Sequence, residues 1–354
     1  MTGLPAGFRT AVYALTAQGL TLGHKIKEGL QAGDIPADLF GPRRLLQAGS
    51  DFRPYDRLAD LFRETFGQYP AHAVIGALGL TVRTIAPLLG HKQSDPAVVG
   101  LGQDGRFIVS LLSGHLGGAN RLAQRIALIT GGQAVITTAT DLTDKPALEV
   151  LAREAGLAVE NWPKLAAAAR TLAEGQLLPV WDPFGFLTES LRSWPDCFGP
   201  GSAETAGPGL WIDYRTVPAA PPDFLIFRPP VLAVGLGGHR QIAPEELSEL
   251  LEKTLAEHCL AVKSVKLLAT IDRRAGEKAF RELAEKLAVP LLAFGPDELA
   301  AVETPNPSAA VLKNIGVSSV CEACALLGAR TDQLLIPKQK SKTATCAAAL
   351  IPWT

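Results

Sequence analysis

The chain has 354 residues, of which 47% are hydrophobic, and its 34 lysines and arginines balance 35 aspartates and glutamates. A chain of this length is too long for one core of ordinary size, so two or three domains are expected. The near-zero net charge excludes an overall field that would draw the protein to nucleic acid or to an anionic membrane, so local groups have to bind any anionic ligand.

The cysteine content and the apolar runs bear on location. The 5 cysteines are irregularly spaced, which argues against a disulfide framework and for a reducing compartment. The weakly apolar residues 11–22 contain Gln18 and Gly19 and no cleavage site of small residues, so a signal peptide is not expected. No run approaches the length of a membrane span. We therefore predict a cytoplasmic protein with neither a membrane nor a nucleic acid as partner.

Short apolar runs alternate with longer amphipathic ones in the first part of the chain. This alternation is typical of βα units around a mostly parallel sheet. The predicted strands cover residues 11–15, 74–78, 107–112 and 134–137. The predicted helices cover residues 22–30 and 119–129. Together they make one α/β domain, residues 1–145.

The remainder divides by composition. Residues 146–228 are rich first in alanine and leucine and then in proline, glycine and tryptophan. We interpret them as a smaller, less regular middle domain whose end is a linker marked by Pro218 to Pro222 and by Pro229 and Pro230. The βα alternation returns in residues 229–354, which form a third domain. Its predicted strands cover residues 231–234, 266–270, 291–294, 333–337 and 343–350. Its predicted helices cover residues 245–258, 277–287 and 319–327. The fold class is thus α/β, two α/β domains with mostly parallel sheets joined by the middle domain.

The stretch SGHLGGAN at residues 113–120 is the strongest candidate for a site. It follows a predicted strand and precedes a predicted helix, the place where open α/β sheets bind ligands and where free helix amides favour anions. Close approach of backbone to a ligand would be allowed by Gly114, Gly117 and Gly118. Polar side chains are supplied by Ser113, His115 and Asn120. The alternative is a tight connection capped by Ser113 or Asn120, but three glycines beside a histidine favour a site.

Charged and hydroxyl side chains follow other predicted strands. One group near a turn consists of Arg83, His91, Lys92 and Asp95. The end of the first domain adds Thr137, Thr138, Thr140 and Asp141. The stretch PKQKSKT adds Lys338, Lys340 and Lys342. Each could be solvated surface, but beside glycine turns such groups could bind carboxylates.

Two cofactor motifs are incomplete. VGLGGHR, which contains Gly235 and Gly237, begins like a dinucleotide fingerprint but has Arg240 at the sixth position instead of glycine, so it is weak evidence for NAD. CEAC at Cys321 and Cys324 has no second pair. The spacing of Ser319 and Glu322 matches a capping box, which predicts that both cysteines pack on one face of a helix instead of binding a metal.

Several of these stretches together resemble the cobalamin-biosynthesis protein family CbiG. The N-terminal resemblance rests on LTVRTIAPLLGHKQSDPAVVGL, SLLSGHLGGAN and VITTATD; the C-terminal one rests on VGLGG, GVSSVCEACALLGA and LLIPKQKSKTATCAAALI. The motifs occur in the family's order over about residues 70–150 and 231–351. This chain departs from the family pattern after Gly237, where Gly238 replaces an expected cysteine, so no nucleophilic cysteine is expected there.

The resemblance implies a cobalt-precorrin-5A hydrolase of oxygen-independent cobalamin biosynthesis. Such an enzyme opens a δ-lactone and releases the C20 unit as acetaldehyde, giving cobalt-precorrin-5B. The cobalt arrives in the substrate, so no cofactor and no protein metal site is expected. From residue type and position, His115 is the predicted base and the amides of Gly117 and Gly118 are the predicted oxyanion donors. The predicted substrate-binding residues are Ser113, Gly114, Gly117, Gly118, Asn120, Arg83, Lys92, Gly235, Gly237 and Lys338.

Two other functions stay open. A non-catalytic corrinoid-binding or carrier protein of the same pathway is the first, since the C-terminal domain also resembles a protein of the oxygen-dependent pathway. A nicotinamide oxidoreductase is the second, and it requires NAD or NADP binding. Neighbouring corrin-pathway enzymes are further possible partners.

Overall fold

The computed structural model describes residues 8–91, 94–115, 117–137, 145–240, 242–308, 312–313 and 316–353. The chain forms two compact units, one through Val150 and one from Leu151 onward. The α/β fold class is confirmed, because three sheets with mostly parallel strands alternate with helices.

In the first unit, the described residues form a seven-stranded sheet. Its strands are β1 (Thr10–Ala14), β2 (Ala37–Pro42), β3 (Arg53–Tyr55), β4 (Ala71–Ile75), β5 (Ala97–Leu101), β6 (Phe107–Leu112) and β7 (Gln133–Val135). The helices are α1 (Ala17–Gln31), α2 (Leu58–Thr65), α3 (Leu78–Ile85) and α4 (Ala119–Thr130). The spatial order is β3-β2-β1-β4-β5-β6-β7. Strands β1 to β5 are parallel, β6 pairs antiparallel with β5, and β7 is parallel to β6.

Helices cover both faces of this sheet. One apolar cluster joins α1 and α4 to one face, for example through Ile26 and Leu122. The other joins α2 and α3 to the opposite face through Phe62 and Ile85. The central strands β1, β4 and β5 are buried along their whole length, which explains why they are continuous short apolar runs instead of alternating patterns.

Several observed elements differ from the predicted ones; helix α1, for example, begins at Ala17 instead of residue 22. Strand β4 lies three residues earlier than residues 74–78, because Gly76 already belongs to the turn before α3. Elements β2, β3, α2 and β5 are not predicted by the hydrophobic periodicity.

The middle part of the chain has a five-stranded sheet of its own. Its strands are β8 (Ala158–Val159), β9 (Leu178–Trp181), β10 (Phe198–Pro200), β11 (Gly209–Ile212) and β12 (Phe224–Arg228). Its helices are α5 (Leu148–Glu154), α6 (Leu165–Ala173) and α7 (Thr188–Arg192). The spatial order is β10-β9-β11-β12-β8, with β8 antiparallel to β12 and the other pairs parallel.

The predicted linker is wrong in this region. Between Pro222 and Pro229 the chain forms β12, an inner strand of the middle sheet that is buried along most of its length. The prolines flank the strand without entering it, so its ladder of hydrogen bonds is intact.

The C-terminal part forms the third sheet, also of five strands. Its strands are β13 (Leu232–Gly238), β14 (Val265–Ile271), β15 (Leu291–Phe294), β16 (Leu334–Lys340) and β17 (Ala344–Leu350). Its helices are α8 (Pro244–Glu257), α9 (Asp272–Ala275), α10 (Lys278–Leu287), α11 (Pro296–Ala300) and α12 (Val320–Ala329). The order is β15-β14-β13-β17-β16, with β13, β14 and β15 parallel and β17 antiparallel to both neighbours. Each predicted element of residues 229–354 is present, with ends shifted by at most a few residues.

The middle and C-terminal sheets belong to one compact unit. Backbone hydrogen bonds connect them: the Thr216 amide donates to the Cys259 carbonyl at 2.8 Å, and the Ala261 amide donates to the Tyr214 carbonyl at 2.9 Å. Lys263 Nζ also donates to the Val159 carbonyl at 3.0 Å. Within the described ranges, no helix is long and apolar enough to cross a bilayer.

A polar group is sealed inside the first unit. His72 on β4 is 0% exposed, and its Nδ1 lies 2.9 Å from the Tyr13 hydroxyl, which lies 2.7 Å from Thr65 Oγ1. The other ring nitrogen lies 3.3 Å from the Phe66 carbonyl. A neutral ring protonated at Nε2 satisfies both contacts. Burial lowers the pKa of His72 to about 4, because a charged imidazolium would lose its hydration there.

This burial predicts a pH-dependent stability. The folded state holds His72 neutral down to about pH 4, whereas the unfolded chain takes up a proton at about pH 6.5. Stability contributed by the neutral ring is therefore complete above pH 6.5 and is lost as the pH falls from there towards 4, by up to about 3 kcal/mol. Urea unfolding between pH 7.5 and 4 measures it. The His72→Gln variant should lose part of this slope; an unchanged slope would contradict the assignment.

Candidate functional site

The SGHLGG loop, residues 113–118, joins β6 to α4. Because β6 runs antiparallel to β5, the loop lies at the edge where β5 begins: Leu112 pairs with Val98, and Ser113 Oγ donates to the Asp95 carbonyl at 2.8 Å. The expectation that this loop follows a strand and opens a helix is confirmed. It does not, however, lie at the carboxyl edge of the parallel strands β1, β4 and β5.

Internal hydrogen bonds close the SGHLGG loop into a compact turn. Ser113 and Gly118 have left-handed backbones, with φ of 55° and 86°. The Ala119 amide donates to the Ser113 carbonyl at 3.2 Å, and the Gly118 amide donates to the His115 carbonyl at 3.1 Å. The Gly118 amide is therefore already used, which corrects its predicted role as an oxyanion donor. Within the described part of the chain, the Gly117 amide donates to no backbone carbonyl.

Two glycines of the loop are required by close contacts. A Cβ on Gly117 would lie 2.4 Å from Ser113 Cβ and 2.8 Å from its carbonyl oxygen, and a Cβ on Gly114 would lie 2.7 Å from Asn120 Oδ1. Asn120, in the first turn of α4, is 6% exposed. The N-cap of α4 is Gly118, and no side chain caps it, so capping by Ser113 or Asn120 is wrong. His115 is half-buried at the turn.

A second turn, at residues 90–95, is tied to the SGHLGG loop. Asp95 Oδ1 accepts hydrogen bonds from the amides of Gly90 at 3.0 Å and His91 at 3.2 Å, and its carbonyl accepts the Ser113 hydroxyl. The hydroxyl of Ser113 thus joins two loops. His91 is exposed beside them. The structure therefore joins Asp95 directly to the SGHLGG loop, and Asp95 in turn holds the amide of His91.

The other residues predicted for this edge are less closely placed. Arg83 is exposed in the last turn of α3, and no described contact joins it to the loop. Thr137 follows β7, which is parallel to β6, so it lies at the same edge as the loop. Outside the described residues are Lys92, Thr138, Thr140 and Asp141.

Two glycines of β13, Gly235 and Gly237, lie close to neighbouring elements of the C-terminal part. A Cβ on Gly235 would lie 1.9 Å from the Cys321 carbonyl oxygen and 2.5 Å from the Ala325 amide nitrogen. One on Gly237 would lie 2.6 Å from Thr345 Oγ1. Close packing of α12 on β13 therefore accounts for glycine at position 235 without a ligand. Arg240 is exposed in the turn after β13.

The predicted capping box at the start of α12 is wrong. Ser319 makes no side-chain cap hydrogen bond, and the Glu322 carboxylate turns instead to Asn306 and to the Lys338 amide. Sequence spacing did not reveal this contact, because Asn306 lies in a separate turn. The cysteines do pack as predicted: Cys321 and Cys324 are buried free thiols, and burial raises the pKa of each.

The basic hairpin, residues 338–343, is held by acidic groups on helices. Glu246 in the first turn of α8 accepts the Ser341 hydroxyl at 2.8 Å and the Thr343 amide at 3.1 Å. Hydrogen bonding by Thr343 and Ser341 lowers the pKa of Glu246 from its usual value. The His239 amide donates to the Thr343 carbonyl at 2.8 Å. The hairpin is therefore fixed at the carboxyl end of β13, and Lys340 and Lys342 are exposed there.

The described residues define a multidomain α/β protein whose sheet edges present a glycine turn in one unit and a basic hairpin in the other. Family models match three consecutive segments: cobalamin synthesis G N-terminal over residues 60–141, cobalamin biosynthesis central region over 146–229, and cobalamin synthesis G C-terminus over 232–349. The chain belongs to the cobalamin synthesis G (CbiG) family.

Individual relatives agree with this assignment. A cobalt-precorrin-5A hydrolase from Priestia megaterium is 31% identical over 310 residues, covering 83% of this chain and 82% of that protein. A cobalt-precorrin-5A hydrolase from Salmonella typhimurium is 30% identical over 337 residues, covering 90% of this chain and 91% of that protein. Protein CobE from a Sinorhizobium species is 36% identical over 121 residues, covering 34% of this chain and 78% of that protein.

The packing of Gly117 predicts a local loss of stability on substitution. In Gly117→Ala, the new methyl group meets Ser113 and the loop has to open, which should lower the free energy of unfolding by about 1–3 kcal/mol. Gly79→Ala is the matched control, since its Cβ would enter open space. Urea denaturation of both variants checks the prediction, which fails if Gly117→Ala is as stable as the control.

Proposed function

We propose that this protein is a cobalt-precorrin-5A hydrolase, which opens the δ-lactone of its substrate and releases the C20 unit as acetaldehyde to give cobalt-precorrin-5B. The observation that carries the proposal is the identity of 30–31% to two cobalt-precorrin-5A hydrolases over most of the chain. The substrate is a polycarboxylate macrocycle that brings its own cobalt, and we propose no resident cofactor.

His115 is the proposed general base. Lactone hydrolysis needs a group that takes a proton from water as the C–O bond forms, and imidazole suits this task near neutral pH. The ring then returns the proton to the C20 oxygen when the lactone C–O bond breaks. The same imidazole then takes the proton from the freed C20 hydroxyl. The oxygen forms the aldehyde C=O bond as the carbon–carbon bond between C20 and the macrocycle breaks, and the electron pair of that bond passes to the macrocycle. The half-buried position of His115, whose carbonyl accepts the Gly118 amide, supports this use.

Gly117 is the proposed oxyanion donor. The tetrahedral intermediate carries negative charge on the former carbonyl oxygen, which a fixed N–H stabilises. Because the Gly118 amide donates to the His115 carbonyl, the proposal assigns this task to the Gly117 amide alone. The close approach of Gly117 to Ser113 supports this proposal, because a donor that is already in place needs no reorganisation during the reaction.

The other proposed contacts concern binding and location. The proposed contacts to the macrocycle in the first unit stay Arg83, Lys92, Gly114 and Asn120. In the second unit the proposed contact is Lys338. The free thiols of the 5 cysteines support the proposal of a cytoplasmic location. Neighbouring corrin-pathway enzymes stay proposed partners.

Anaerobic incubation of the full chain with cobalt-precorrin-5A tests the function. Trapped acetaldehyde and the matching loss of mass from the macrocycle are expected. Binding without either product would instead indicate a non-catalytic corrinoid-binding or carrier protein. A thermal shift with NAD or NADP would favour the oxidoreductase.

Replacement of the proposed base gives a second test. The His115→Asn variant should bind substrate but lose about 10²–10⁴-fold in kcat, because an amide cannot accept the water proton as imidazole does. His24→Asn, on α1, is the control and should retain activity. Acetaldehyde release by His115→Asn at the wild-type rate would remove His115 from the mechanism.

A further inference from the structure

We propose that Glu322 is a positioning residue for corrinoid binding: it fixes Lys338 and the 305–308 turn so that the Lys338 ammonium meets a carboxylate arm of the macrocycle. This inference rests on the proposed function and names the part of the substrate that the C-terminal sheet edge recognises.

Glu322 joins three separate elements through one carboxylate. It lies in the first turn of α12 and is 0% exposed. Its Oε1 accepts the Lys338 amide at 3.0 Å and Asn306 Nδ2 at 2.8 Å, and its Oε2 accepts the Asn306 amide at 3.2 Å. Strand β16 and the 305–308 turn are therefore both held on α12.

The lysine side chain completes this connection. Lys338 Nζ donates to the Asn306 carbonyl. Lys338 and Asn306 are therefore joined directly as well as through Glu322. An ammonium has three N–H donors. This bond is solvent-exposed and uses one of them, which leaves others for a ligand. An ammonium held in advance loses less rotamer entropy on binding a carboxylate.

The location suits a polyanionic ligand. Lys340 lies two residues farther along β16 and is exposed. The end of the hairpin is fixed separately through Glu246. A buried carboxylate is a costly way to join a helix to a strand unless its hydrogen bonds are complete. The hydrogen bonds of Glu322 go to Asn306 and Lys338, and these two residues together hold the Lys338 ammonium at the sheet edge. Apolar packing between the helix and the strand would not position an ammonium in this way.

Binding measurements on the full chain test the inference. The probes are cobyrinic acid, a stable corrinoid polycarboxylate, and its methyl ester, which lacks the charged arms. Lys338→Met should weaken binding of the acid about tenfold and leave binding of the ester unchanged. Glu322→Gln should weaken binding of the acid about fivefold, because an amide presents a donor to the Asn306 N–H. The double variant should be no weaker than Lys338→Met, since Glu322 acts through Lys338.

Two control variants separate position from charge. Glu303→Gln removes the same charge from an exposed position in the segment before the turn, and Lys266→Met removes an exposed lysine at the start of β14, the opposite edge of the sheet. Both should bind the acid as the wild type does. With cobalt-precorrin-5A, Glu322→Gln should raise KM and leave kcat unchanged, whereas a purely structural residue would change the melting temperature alone.

Several results would overturn the inference. One is that folded Glu322→Gln binds the acid as tightly as the wild type does; another is that a variant loses equal affinity for the acid and the ester. Additive losses of affinity in the double variant, or a wild type that does not bind the acid, would also overturn it. If Glu322→Gln does not fold, Asn306→Ala removes one donor to the carboxylate and should show the same acid-specific loss; its absence is equally contrary. Acetaldehyde release by the wild type without Glu322–Lys338 coupling would reject this inference alone. Coupling without acetaldehyde would reject the hydrolase alone.

Discussion

The antiparallel pairing of β5 with β6 is the constraint on which the N-terminal site depends. The intervening turn is tight: Gly105 has φ 63°, its amide donates to the Gly102 carbonyl at 3.0 Å, and Asp104 Oδ1 accepts the Arg106 amide at 3.2 Å. A parallel crossover would have carried the SGHLGG loop to the other edge of the sheet. Because the chain reverses instead, the loop lies against the 90–95 turn and shares an edge with the end of β7. This reversal of the chain brings the Ser113 hydroxyl to the Asp95 carbonyl.

The sequence predicts a strand or a helix where the element's own residues form the apolar run or face that is buried. Strands β1, β6 and β13 are apolar runs, and α4 and α8 have one buried face, so short windows of sequence locate them. Strands β2 and β3 contain Asp, Gly and Pro residues, and their strand structure depends on pairing with neighbours. The Asp104-Gly105 dipeptide between two apolar runs is a hairpin signal, and it would have given the direction of β6.

The sequence identifies candidate site residues, but it does not predict the contacts that these residues make. His115 and its glycines stand out by composition, and the lysines of β16 by their charge. The contacts of Glu322 could not be predicted from the sequence, because its spacing from Ser319 fits a local capping box equally well. Only the fold brings Asn306 and Lys338 to its carboxylate. Gly118 shows the same limit: a free amide at a helix start is expected, yet the turn geometry gives that amide to His115.

The contact at Gly235 has a mechanical consequence. With only hydrogen on that Cα, the backbone of α12 rests directly on the backbone of β13, without a layer of side chains between them. Side chains can change rotamer and let two elements slide, but backbone against backbone has no such freedom. Helix α12 and strand β13 are therefore in direct backbone contact at this point, and Glu322 connects the same helix to β16 through the Lys338 amide.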